Sequence, residues 1–295
     1  MESTSEVIKP VEIKAAKKPL WLEGWKRIKR QRSAMFGLSI VLFFILIGIL
    51  APVLTSYPYD GFYPDRTLIP PGEEHWFGTD DQGRDIFSRI VFGARISLWI
   101  GFFSVIGSII VGCLLGLIAG FYGKWADSII SRFFDIMLAF PSILLAIAIV
   151  AILGPSLFNA LIAIAIINIP TYGRLIRSRV LSVKEEEYIM SARSIGMSDI
   201  RILFQHILPN SITPIIVQGT LGIATAILEA AALGFLGLGA QPGEPEWGKM
   251  LADSRQFLTV APWTLLFPGF AIMLTVVGFN MFGDGLRDAL DPKMK

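Results

Sequence analysis

Three carboxylates, Asp80, Asp81 and Asp85, fall within six residues and could suggest a cation site. Their spacing lacks the ligand pattern of a calcium loop. Arg84 and Arg89 stand beside them, so the expectation is charge-assisted pairing that holds a loop in shape. The chain has two histidines, His75 and His206, and one cysteine, Cys113. That number excludes an intrachain disulfide and leaves too few donors for a His/Cys metal cage. Cys113 lies in an apolar run and reads as a small hydrophobe. No G-x-x-x-x-G-K-[ST] occurs, nor any G-x-G-x-x-G between a strand and a helix, so the chain does not hydrolyse ATP by itself. The remaining candidates are Asp135 and Glu229, inside or at the rim of apolar runs, where charge is costly and often marks a pathway. Asp135, near the end of its run, is expected to reach water or pair with Arg132 or a more distant arginine. Two roles are open to Glu229: lining a path that meets a substrate ammonium, or a hydrogen bond between helices.

The elements that must position these groups are membrane helices. The chain has 295 residues, is 53% hydrophobic and only 17% charged, against about 25% charge in a soluble domain. Its mean hydropathy is +0.61. Apolar runs near the roughly 20 residues that cross a bilayer occur at about 34–54, 96–121, 133–153, 157–172, 212–238 and 264–282. The expected class is therefore an all-α membrane protein with six spans over 34–283. Gly107, Gly112, Gly116 and Gly120 suggest close helix contact in span two. Phe140-Pro141 and Pro170 read as kinks. Outer loops are expected at 55–95 and 239–263, an inner loop at 173–210 and a polar tail at 284–295.

Residues 1–33 are basic and show no signal-peptide pattern. Trp21, Leu22, Trp25 and Ile28 share a helical face among lysines and arginines, which predicts an interfacial helix on the cytoplasmic leaflet. A nucleic-acid arm is disfavoured because the run leads straight into a span. Lys and Arg number nine at the N-terminus, two between spans two and three, six between spans four and five and three in the tail, against six on the other side. The positive-inside rule then places both termini and 173–210 in the cytoplasm. The two histidines fall on opposite faces, so no Ser/His/Asp set forms.

The loop 173–210 carries its own pattern. Ser182 and Glu185 form an S-x-x-E capping box expected to start a short helix. Tyr188, Ala192 and Ile195 share a face, and Gly196 can close that helix. Ser198 can cap a second, amphipathic helix with Ile200, Leu203, Phe204, Ile207 and Leu208 on one face. Pro209 is expected to interrupt it.

This stretch resembles the cytoplasmic coupling ("EAA") loop of ABC-importer permeases, whose pattern is matched at Ala192, Gly196, Leu208 and Pro209. Met190 and Ser191 replace the pattern's Glu and first Ala, and Glu187, three residues earlier, is the substitute carboxylate. His206 stands where the peptide-importer branch often has histidine. Two further stretches resemble the C-type subunit of dipeptide and oligopeptide permeases. One is 75–98, with His75, Gly78-Thr79-Asp80, Gly83-Arg84-Asp85 and Gly93-Ala94-Arg95. The other is 229–251, with Phe235-Leu236-Gly237-Leu238-Gly239, Gln241-Pro242 and Trp247-Gly248, joined by GDGLRDALDP at 283–292. Gly234 stands where the family usually has Ser. The resemblance covers about 25–292.

It implies a non-enzymatic subunit that moves dipeptides or oligopeptides by alternating access. It also implies a second permease, two cytoplasmic ATPases that hold the ATP and Mg, an extracytoplasmic binding protein and a prokaryotic cell membrane. No cofactor is expected in this chain. The implied ATPase contact is Tyr188, Ala192, Ile195, Gly196 and Met197, rimmed by Glu187 and Arg193 and followed by Pro209. Glu229 and Asp135 are the candidate translocation path. The same architecture could carry nickel or other metal chelates or oligosaccharides. A stand-alone secondary transporter is the rival class, and no inverted repeat supports it.

Overall fold

The computed structural model describes residues 26–290, so Trp21, Leu22 and Trp25 of the expected interfacial helix lie outside the described residues. Ile28 is buried with Ala34, Leu286 and Ala289. Helix α1 is Arg32–Ile49, followed by the short α2, Ala51–Leu54. Then come α3 (Ile86–Tyr122), α4 (Lys124–Leu138), α5 (Ser142–Leu153) and α6 (Leu157–Val183). A helical hairpin follows, α7 (Glu187–Ser194) and α8 (Asp199–Ile202), and then α9 (Leu208–Phe235), α10 (Trp247–Ser254) and α11 (Trp263–Leu290). No β-strand occurs among the described residues, apart from an isolated bridge between Thr79 and Asp85. Five helices are long and apolar enough to cross a membrane, and the α4–α5 pair makes a sixth when counted as one span.

The helices outrun the hydropathic runs. Helix α3 has 37 residues, about 55 Å at 1.5 Å per residue, well beyond a hydrocarbon core of about 30 Å. Its first turns, Ile86 to Arg95, are too polar to look like a span, yet Asp85 starts the helix by accepting the Ser88 N–H at 2.7 Å. Helix α3 then packs along α6. A Cβ on Gly112 would lie 2.7 Å from the Ile169 carbonyl oxygen, so only glycine lets these backbones approach. The expected close contact is present at Gly112, and Gly107 has only ordinary contact with Ala165.

The kink at Phe140-Pro141 is a break: α4 and α5 meet at 94°. Pro141 occupies the N-cap of α5 with ψ 128°, and a residue before proline avoids the helical region, which ends α4 just ahead of it. Pro170, by contrast, sits inside a continuous α6.

At the end of the bundle opposite the hairpin, an ion-paired cap joins 57–89 to 241–254. Asp80 accepts from the backbone of Gln82 and Arg84, both at 2.9 Å, and from Arg84 Nε at 2.6 Å. Asp85 pairs with His75 at 2.9 Å. Arg89, 1% exposed, donates to the carbonyls of Tyr59 at 2.9 Å and of Gly243 and Glu244 at 3.3 Å. Thus Asp80 and Asp85 are structural acceptors, with Arg84 as the expected partner of Asp80. Trp247 is fully buried and donates to the Ile90 carbonyl at 3.1 Å.

Candidate functional site

The α7–α8 hairpin begins differently from its sequence pattern. Ser182 is still inside the last turn of α6, because Ile176 and Val180 are fully buried there and Val183 packs on the same cluster, so the apolar face carries the helix past it. The Ser182/Glu185 capping box therefore does not form; Glu186 takes the N-cap of α7 without a side-chain cap bond. The far end follows expectation. Gly196 has φ +82°. Its N–H donates to the Arg193 carbonyl at 2.9 Å, and the Met197 N–H donates to the Ala192 carbonyl at 3.1 Å. These two bonds make a Schellman closure, which needs a left-handed residue at this position.

Ser198 takes the N-cap position of α8 without a side-chain cap bond. Pro209 does not stop the second helix. A π-helical turn, Leu203–Ile207, joins α8 to α9, and the Leu208 N–H reaches back to the Leu203 carbonyl. The wider turn accommodates a proline that lacks its own donor and whose ring would crowd the carbonyl four residues back. Pro209 is the exposed second residue of α9.

The hairpin has an inner and an outer face. Ile189 and Ile202 are fully buried, and Ala192, Leu203 and Ile207 join them. They pack against Leu117 and Phe121 of α3, Ile176 and Val180 of α6 and Ile215 of α9. Met197 is partly buried on that cluster. On the outer face Tyr188, Ile195, Ile200 and Phe204 are exposed, Ile195 by 79%. Ala192 thus turns inward, away from Tyr188 and Ile195, and the expected apolar face of α8 is divided between Leu203 and Ile207 inside and Ile200 and Phe204 outside. Glu187 is exposed at the start of α7. The Arg193 guanidinium lies 5.2 Å from the centroid of the Phe121 ring, a cation–π contact that ties α7 to the end of α3. A Cβ on Gly196 would meet nothing within 4 Å.

The two charges of the candidate path separate. Asp135 pairs with Arg174, both about half exposed, so it belongs to the contact of α4 with α6. Asp127 and Arg177 pair beside them. Glu229 lies deeper and accepts from Asn168 Nδ2 at 2.8 Å, joining α9 to α6. Charge alone pointed to Glu229; an asparagine in span four was the unread signal for its partner. Ile189, Ile202 and Phe121 were likewise missed as the hairpin's anchors.

The model of "Binding-protein-dependent transport system inner membrane component" matches residues 112–295. The chain belongs to that family. The N-terminal TM domain of oligopeptide transport permease C matches residues 19–71. The permease is 68% identical over 275 residues to the dipeptide transport system permease protein DppC of Alkalihalophilus pseudofirmus, covering 93% of this chain and 90% of that one. It is 49% identical over 276 residues to the glutathione transport system permease protein GsiD of Pectobacterium atrosepticum, covering 93% and 92%. Its fold is similar to a chain of the MetNI methionine ABC transporter in an inward-facing conformation, with TM-score 0.56 and 18% identity over 70% of this chain and 98% of that one. The permease is a multi-pass ABC-importer subunit.

Proposed function

We propose that this permease subunit moves short peptides inward in an ATP-driven importer. It pairs with a second, related permease, receives cargo from an extracytoplasmic binding protein and is driven by two cytoplasmic ATPases that hold the ATP and Mg. The names of its 68% and 49% identical relatives, a dipeptide and a glutathione permease, support peptide cargo. The excess of Lys and Arg on one side supports cytoplasmic termini and a cytoplasmic hairpin.

The observation that carries the mechanism is the two-faced hairpin. Its inner face is locked into the ends of α3, α6 and α9, while Tyr188, Ile195, Ile200 and Phe204 face outward. A partner gripping the outer face moves the helices fixed to the inner one. Such a grip transmits energy only if its contacts differ between the two states of the transporter. Gly196 leaves room at the centre of that face for close approach, with Glu187 at its polar rim.

The test compares wild type with Gly196→Asp in the complete assembly reconstituted in lipid vesicles. We expect the variant to insert and pair with the second permease yet to lose ATPase docking and uptake of labelled peptide. Uptake that persists without the ATPases, or that ignores this change, would sink the coupling role and favour a stand-alone transporter.

A further inference from the structure

Glu229 and Asn168 are the visible end of a larger polar face. On α9, Gln218, Thr225 and Glu229 recur at spacings of seven and four, which puts them on one side of the helix. Thr225 is exposed, and Gln218 and Glu229 are partly so. On α6, Thr171 is exposed one turn from Asn168. Asn168 spends its two amide hydrogens on the Ile164 carbonyl at 3.0 Å and on one oxygen of Glu229 at 2.8 Å. The other carboxylate oxygen of Glu229 has no partner among the described residues, and neither do the side chains of Gln218, Thr225 and Thr171.

Hydrocarbon cannot satisfy such groups, so a polar helix face at this depth belongs against water or another polar surface. Asn168 lies about 16 Å along α6 from its outer end, near the middle of the bilayer. From there Thr171, Thr225 and Gln218 lead toward the cytoplasmic ends of their helices. No cation among the described residues pairs with Glu229, in contrast to Asp127 and Asp135, which are matched by Arg177 and Arg174.

We propose that Glu229, steadied by Asn168, receives the ammonium group of the substrate within the membrane, at the head of a polar track formed by Thr171, Thr225 and Gln218. Asn168 holds one carboxylate oxygen and leaves the other to accept from the ammonium. The site rests on the importer reading above and names the part of the cargo that this chain recognises.

The test bypasses the binding protein, which makes its own selection. The complete permease–ATPase complex is prepared in nanodiscs in its inward-open state, with Cys113→Ala and Thr225→Cys. Labelling of the new thiol by a hydrophilic maleimide is timed with a dipeptide bearing a free N-terminus and with its N-acetylated form. Free dipeptide should slow labelling at about tenfold lower concentration than the acetylated form, the scale expected of one charge-assisted hydrogen bond. Glu229→Gln should remove that difference and Glu229→Asp should restore part of it. In vesicles Glu229→Gln should move about tenfold fewer peptides per ATP hydrolysed than wild type. Equal protection by the two peptides, no labelling of the cysteine, or an unchanged ratio in Glu229→Gln would each overturn the site. If the wild-type assembly moves no peptide at all, the importer reading fails first and this site with it.

Discussion

The ion-paired cap and the α7–α8 hairpin solve opposite problems. In the cap, the charged groups that join its segments find their partners within the chain: Asp80 takes Arg84, Asp85 takes His75, and Arg89 spends its donors on three carbonyls. In the hairpin, by contrast, the large apolar side chains of Ile195, Ile200 and Phe204 are exposed on a loop expected to face water. A cap that is finished by itself is built to hold shape. A hairpin packed on one side only, with Ile195, Ile200 and Phe204 exposed on the other, fits the proposed docking of another protein.

Removing a group from the finished region should therefore cost most. Arg89→Ala leaves three carbonyls unsatisfied and strips a neighbour from Asp80, whose carboxylate lies 3.6 Å away. A loss of about 3–5 kcal/mol is expected, as for breaking a buried charge network. Thermal unfolding of the purified complex would show it, together with poor membrane yield. A variant as stable as wild type would mean that the cap is not the structural element described.

Glu246 sharpens the same contrast. It is 2% exposed and caps α10 by accepting from the Gly248 and Lys249 N–H groups, both at 2.8 Å. Burial raises its pKa to about 7, against the two backbone bonds that lower it. A carboxyl with a raised folded-state value binds its proton better when folded. Its contribution to stability is present below the ordinary value of 4.5 and is lost as pH rises through about 7. The loss is about 3 kcal/mol. Melting curves at pH 5 and pH 8 should diverge in wild type and converge in Glu246→Gln, with the neutral amide keeping a cap.

The two regions also differ in how they could be read. In the hairpin, Gly196 was legible because a left-handed closure depends on one residue and its immediate neighbours. The Ser182/Glu185 box misled because its local preference lost to the burial of Ile176 and Val180, which no capping pattern reveals. Pro209 misled because a π turn lets the helix continue. In the cap, the start of α3 was hidden since Arg89 and Arg95 resemble loop residues until the carbonyls of Tyr59 and 243–244 are folded around Arg89. Hydropathy made five long apolar helices legible, though not their ends, and the remaining expected span falls on the α4–α5 break. Glu229 was legible as a costly charge, but Asn168 depends on which helix lies opposite.

Gly196→Ala should have a smaller effect. No atom stands within 4 Å of the added methyl group, but φ is +82°. A non-glycine residue pays about 1–2 kcal/mol there. Local opening of the hairpin, read by hydrogen exchange at Met197, should rise accordingly while the global melting point hardly moves.

The smallest stability effect belongs to the residue whose functional effect decides the comparison. Ile195 is 79% exposed and caps α7 with no packing to lose. Ile195→Ala should change the stability of the permease by less than about 0.5 kcal/mol, as surface substitutions do. If the outer face is where an ATPase closes, that same truncation removes a buried contact in the assembly and should weaken docking by about 1–2 kcal/mol, roughly tenfold in affinity. Pull-down of the ATPases by vesicles of the variant measures it directly. Wild-type docking would mean that the exposed apolar face is covered by something else, and the mechanical link between hairpin and ATPase would have to run through the polar rim at Glu187 instead.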